Sequence, residues 1–233
     1  MTCSQCADAH EEHAVASSLE RLRYFPRQLL TADDMRVEQE YFREKQRRHN
    51  RFLHGSGVVC GLEVVPDPAN GAMAVKVCPG YALGPWGDEI FVEESTPFDL
   101  SHCTRPASEE CRPAGVLALP AGAPQILLLK IRYVECASRP MRTLPAGCGC
   151  DETACEYSRT RDGFEIQCFV RPEPDGRSAP VPPRPVVDTA VPACLACAAE
   201  PWVLLAEVQR GANSLMVKNN VRRVVPNTPS LAG

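Results

Sequence analysis

The sequence predicts a mainly β chain with one long α-helix, an α+β arrangement in which small β-sandwich or barrel-like units carry long Cys- and Pro-rich inserts. Three observations predict it. A single charged stretch has helix-start chemistry at one end and helix-stop chemistry at the other. Short apolar runs recur between Pro, Gly, Asn and Asp turns. And 22 Pro with 15 Gly in 233 residues interrupt the chain too often for a helical protein.

Taken in chain order, residues 1–20 are a polar lead-in, and residues 21–54 an approach segment followed by the helix. Pro26 ends whatever precedes it. The Thr31 hydroxyl can accept from a first-turn N–H while the Asp34 carboxylate reaches back, a variant of the capping box. Gly55 and Gly57 stop the helix after His54. Between these limits the acids come early (Asp33, Asp34, Glu38, Glu40, Glu44) and the bases late (Arg43, Lys45, Arg47, Arg48, Arg51), which suits both ends of the helix dipole. The apolar face is thin: Met35, Val37, Tyr41, Phe42, Phe52 and Leu53 are its large apolar residues, fewer than a core helix of this length carries. Such a helix either rests solvated on its own domain or meets other chains, with Gln39, Gln46, His49 and Asn50 as hydrogen-bonding groups.

Residues 55–124 form the first predicted β-unit. Val58–Val65, Ala72–Val77, Tyr81–Leu83 and Glu89–Val92 read as short strands between turns, and the stretch from residue 95 onward reads as loop. Residues 125–233 form the second. Its strongest strand is Gln125–Cys136, an apolar run that passes into alternation at Lys130, Arg132 and Glu135. Phe164–Val170, Trp202–Val208, Ser214–Lys218 and Val221–Val225 follow. Two inserts interrupt this unit, a cysteine-rich one at 137–162 and a proline-rich one at 171–201 whose APVPPRPVV should be extended.

Composition narrows the partners. A formal charge of −4 lacks the basic footprint of a general nucleic-acid binder. No apolar run reaches membrane-spanning length, and the N-terminal MTCSQCADAHEEH lacks a signal-peptide pattern, so cytoplasmic synthesis and assembly are expected. Thirteen cysteines then call for an explanation. In a reducing compartment they favour metal ligation or buried thiols over disulfides.

If the three main strands of the second unit form a meander, Cys136 falls beside Cys148, Cys150 and Cys155, a four-thiolate zinc candidate. Cys3, Cys6, His10 and His13 are the alternative donor set. Disulfides formed after release into an oxidising medium compete with zinc for the insert cysteines, and Cys60, Cys78 and Cys168 read as ordinary buried small residues. The sequence requires no cofactor, and zinc is the one for which it offers candidate ligands. Catalytic chemistry finds no support: no nucleophile elbow, Walker A, dinucleotide fingerprint or HExxH occurs. His49 and His54 fit a hydrogen-bonding role on the helix better than that of a base for a thiol.

The block RYFPRQLLTADDMRVEQEYFREKQRRHNRFLHGSGVVCGLEV, with the later PGYALGPWGDEI, resembles proteins of phage tail-like contractile injection systems. The shared pattern is an RYF-x-x-x-LLTA-D opening, an EQ-Y helix, RRHNR-x-LHG-x-GVV-x-GLEV and a PG-A-D-G-EI segment. Glu156–Ile166 and Val203–Val208 are similar as well, so about half of the chain is covered, mostly outside the inserts. The resemblance implies a non-enzymatic structural subunit at or near the baseplate, or in its peripheral or fibre layer. It implies baseplate and tail proteins as partners, self-association into a homo-oligomer with a trimer among the options, and neither nucleic-acid binding nor membrane insertion. Such a subunit assembles in the cytoplasm and joins a particle that can be released from the cell. Interface strength would then come from Tyr24, Phe25, Leu29, Leu30, Tyr41, Phe42, His49 and Trp86. The competing readings are a zinc- or carbohydrate-binding recognition module displayed on such a particle and a thiol-dependent enzyme.

Overall fold

The computed structural model describes residues 19–103, 125–142, 155–171, 198–210 and 214–226. They are mainly β with one α-helix, as the sequence predicts, and no sheet among them closes into a barrel. The chain divides into two compact units, Met1–Arg48 and His49–Gly233.

The first unit is built on helix α1 (Ala32–His49). Its start is a working capping box. Asp34 N–H donates to Thr31 Oγ1 at 3.2 Å, while Thr31 N–H and Oγ1–H donate to Asp34 Oδ2 at 2.8 and 2.7 Å. Ion pairs join Asp33 to Arg36, Glu40 to Arg43 and Glu44 to Arg47, each three residues apart, so much of the charge expected to serve the dipole is also spent within the helix.

The second unit starts with a π-helical turn, Asn50–His54, in place of the final α-turn that the sequence predicts. Gly55 N–H closes it on Asn50 O at 3.0 Å, and Gly55 ends it at φ 76°, a value an L-residue rarely adopts. The wider turn suits Asn50, which is only 4 % exposed and donates from Nδ2 to Gly87 O at 2.9 Å. Asn50 therefore fastens the turn to its own sheet and does not serve as a contact for other chains.

The strands follow as β1 (Gly57–Gly61), β2 (Val64–Pro66), β3 (Ala74–Val77), β4 (Gly80–Leu83), β5 (Glu89–Val92), β6 (Thr96–Asp99), β7 (Gln125–Arg142), β8 (Cys155–Val170), β9 (Val203–Arg210) and β10 (Leu215–Lys218). They make three antiparallel sheets, ordered β1-β4-β5, β2-β3-β6 and β10-β9-β7-β8. The predicted strand Val58–Val65 breaks at Leu62, whose φ of 54° lets the chain leave one sheet and join another. That corner is held from afar. Arg222 Nη1 donates to Gly61 O and Leu62 O, and the Asn219 side-chain amide pairs with both backbone groups of Val64. The segment expected as a last strand makes only a parallel bridge, Val224 to Val58. Its backbone runs so close to β1 that a Cβ on Gly57 would lie 2.5 Å from Arg223 O.

All three sheets contribute to one core. Val58, Val75, Val77, Ile90 and Val92 from the first two belong to the same buried cluster as Leu127, Leu129, Ile131, Leu205 and Val208 from the third. The expected division at residues 124/125 therefore does not divide the core. β6 was expected as loop. Its short, Pro-containing TPFD offers a single large apolar residue, Phe98, which packs against the core, so only its pairing with β3 defines it.

Two further differences concern the third sheet. β7 lies between β8 and β9, antiparallel to both, so the sheet is not a simple meander. β8 and β9 thereby run parallel to each other on either side of β7. The described residues of the cysteine-rich insert are also strand: β7 runs on to Arg142 and β8 begins at Cys155. Polar, alternating residues hide such an extension, because a ribbon exposed on both faces carries no period-two apolar signal. Cys168 is buried as expected, but in a disulfide with Cys103, whereas Cys60 is exposed.

Candidate functional site

Two surfaces offer more than packing. The first is α1 with its approach segment. None of the residues of α1 is buried. Leu29 is 85 % exposed and Phe42 58 %, and Tyr24, Phe25, Leu30, Met35 and Val37 are exposed with them. Met35 and Phe42 fall two turns apart on one helical face. Tyr41 is half-buried. Its ring meets Phe42 edge-on at 5.3 Å and lies under the cations of Lys45 and Arg21 at 5.6 and 5.9 Å. The result is an aromatic and aliphatic surface fixed by local contacts but uncovered within its own unit, which is costly unless something covers it.

The remaining predicted contact residues belong to the second unit. His49 is exposed, with its ring 5.4 Å from that of His54. Trp86 is exposed on one side but donates its indole N–H to Ala198 O at 3.0 Å, so part of its role lies in the fold.

The cap of α1 carries a titratable link. Hydrogen bonds from the Thr31 side chain and backbone hold the Asp34 carboxyl below its ordinary range. A lowered folded-state value stabilises the charged form. The contribution is therefore complete above about pH 4, near the value of an unfolded Asp, and is lost as pH falls through the lowered folded value. Helicity measured by circular dichroism should fall further over that acid window in the wild type than in Asp34→Asn, which keeps the other ion pairs of the helix but not the titrating cap. An identical acid profile in both proteins would remove the cap from the account.

The second surface is a groove of about 530 Å³ between the edge strands β5 and β8. The rings of Tyr81, Phe91 and Phe164 and the carboxylates of Glu89, Glu93, Glu94 and Asp162 line it. Burial first, and the Glu89 carboxylate next, push the Tyr81 phenol up to about 12. Burial and the neighbouring Asp162, 2.6 Å from its hydroxyl, push Tyr133 up as well. Both phenols therefore stay protonated at neutral pH and act as fixed donors to carboxylates, not as bases. The groove combines negative charge with aromatic surface, a combination that receives cationic side chains. Sequence reasoning missed it, because its carboxylates come from strands far apart in the chain. The alternation Glu89, Phe91, Glu93 was the available signal.

The cysteine constellation does not assemble as expected. Cys136 pairs with Arg161 and Cys155 with Arg142, so the two cysteines lie six register positions apart, about 20 Å along the ribbon. One ion cannot bind both. Cys148, Cys150 and the alternative set Cys3, Cys6, His10 and His13 lie outside the described residues. Among the described residues no three His, Cys, Asp or Glu side chains are grouped to hold a metal. No described helix is long and apolar enough to cross a membrane.

No family model matches the chain. No curated protein matches it either. Among solved structures, one described as "Crystal structure of TssK" aligns with a TM-score of 0.41 and 9 % identity, over 86 % of this chain and 41 % of that one. This chain thus spans about two-fifths of the length of the structure it aligns with, and a likeness of this size carries no argument about function.

Proposed function

We propose that this protein is a non-enzymatic structural subunit of a phage tail-like contractile particle, placed at or near the baseplate or its peripheral layer, self-associating and joined to tail proteins through α1. The observation that supports it best is the helix itself. It is capped and ion-paired along its length, yet it buries no residue and exposes Met35, Val37 and Phe42. A helix without tertiary cover is only marginally stable in water, so sequence spent on caps and pairs without a buried face fits a helix that is covered on assembly. The resemblance of the same segment to contractile-system proteins points to the same place. The zinc version of the recognition-module reading loses its four-thiolate set, because the register separates Cys136 from Cys155.

Tyr41→Ala combined with Phe42→Ala tests this reading. The expected variant is folded and soluble, with the melting temperature of its second unit unchanged, and fails to co-purify with tail particles. Incorporation at the wild-type level would remove α1 as the docking element.

A further inference from the structure

The β7–β8 hairpin continues well past the core. Every residue of β8 from Cys155 to Asp162 is exposed, while burial begins at Gly163. Eight residues correspond to about 26 Å of two-stranded ribbon, a structure that is marginal in water without cover. Along this arm, Tyr157, Arg159 and Arg161 recur at every second residue and so share one face, with Tyr157 61 % exposed. Along β5 and its continuation, Glu89, Phe91 and Glu93 recur at the same spacing and form the exposed face of the groove, with Phe91 63 % exposed. One stripe is aromatic and cationic, and the other is aromatic and anionic. Both repeat at about 6.7 Å.

We propose that the Tyr157–Arg159–Arg161 stripe of one copy docks in the Glu89–Phe91–Glu93 groove of a second copy. This rests on the self-association in the reading above and names its contact. A copy cannot fill its own groove. Asp162 lines the groove from the base of the arm, and Arg161, the next residue, projects from the opposite face of the strand. The contact is therefore between copies and joins two different patches, a head-to-tail arrangement that forms a ring where the rotation closes and a filament where it does not. Arg159 and Arg161 would sit between carboxylates and over the Phe91 ring, gaining charge pairing and cation–π contact together. The arm in turn gains the cover it lacks in the isolated chain.

The test is the mass of the full-length protein by sedimentation velocity and native mass spectrometry. The wild type should be an oligomer that weakens at least roughly tenfold between low salt and 0.5 M NaCl, as a charge-steered contact does. Arg159→Glu with Arg161→Glu should sediment as a single chain of 25.5 kDa with unchanged circular dichroism. Glu93→Arg, approached from the groove side, should weaken association in the same way, and the triple variant should regain it. A wild type that remains a single chain at 100 µM, or an arm variant that keeps the wild-type mass, overturns the contact. Particle incorporation through α1 is read separately by co-purification, so the two ideas can fail independently.

Discussion

Replacing both Cys103 and Cys168 by alanine is expected to lower the unfolding free energy by about 4 kcal/mol. The bond spans 65 residues, from the end of the β2-β3-β6 sheet into β8 of the third sheet. Closing a loop of that length in the unfolded chain removes conformational freedom corresponding to about 4 kcal/mol on the chain-entropy account. Both cysteines lie inside the shared core, so the substitution also leaves space that the surroundings fill only in part. Urea unfolding of the variant and of the wild type, the latter with and without reductant, measures it. The reduced wild type should move most of the way towards the variant. A shift under about 1 kcal/mol in both would mean that this cross-link does not tie the sheets together.

That bond also marks where sequence reading stops. The helix start was legible because Thr31, Asp34 and the charge order act locally, and local chemistry survives folding unchanged. β5 was legible to the residue, since alternation of Glu89, Ile90, Phe91 and Val92 reports a half-buried strand. Cys103 and Cys168 carried no such mark: nothing near either residue encodes a partner 65 positions away. The same holds for Asn219 and Arg222, polar residues of an ordinary-looking tail that fasten the β1–β2 corner. Tyr24 and Phe25 of the approach segment are exposed, but nothing in their local sequence says what covers them. The acidic groove was not seen, because it exists only where the edge of β5 meets β8. Periodicity can assign a face to a strand, but it cannot say which other strand that face will meet.

Ile131→Ala is expected to cost about 3–4 kcal/mol, while Tyr157→Ala, on the same hairpin, should change stability by less than about 0.5 kcal/mol. Ile131 lies on the central strand of the third sheet, opposite Ile166 on one side and Val203 on the other, and is fully buried. Cutting it to alanine removes buried methylene and methyl groups and leaves a cavity that two flanking strands in register cannot easily close. Tyr157 belongs to the same pair of strands, opposite Pro140, but it stands on the exposed arm and loses little water on folding. The contrast has a functional consequence. Selection for folding alone gives no reason to keep a large aromatic residue there, whereas docking in a neighbouring copy does. Thermal and urea unfolding of the isolated protein should separate the two substitutions cleanly, and oligomer mass should rank them the other way at temperatures where both are folded. Equal stability losses would mean that the arm is part of the core, and the distinction between folding hairpin and docking hairpin would then fall.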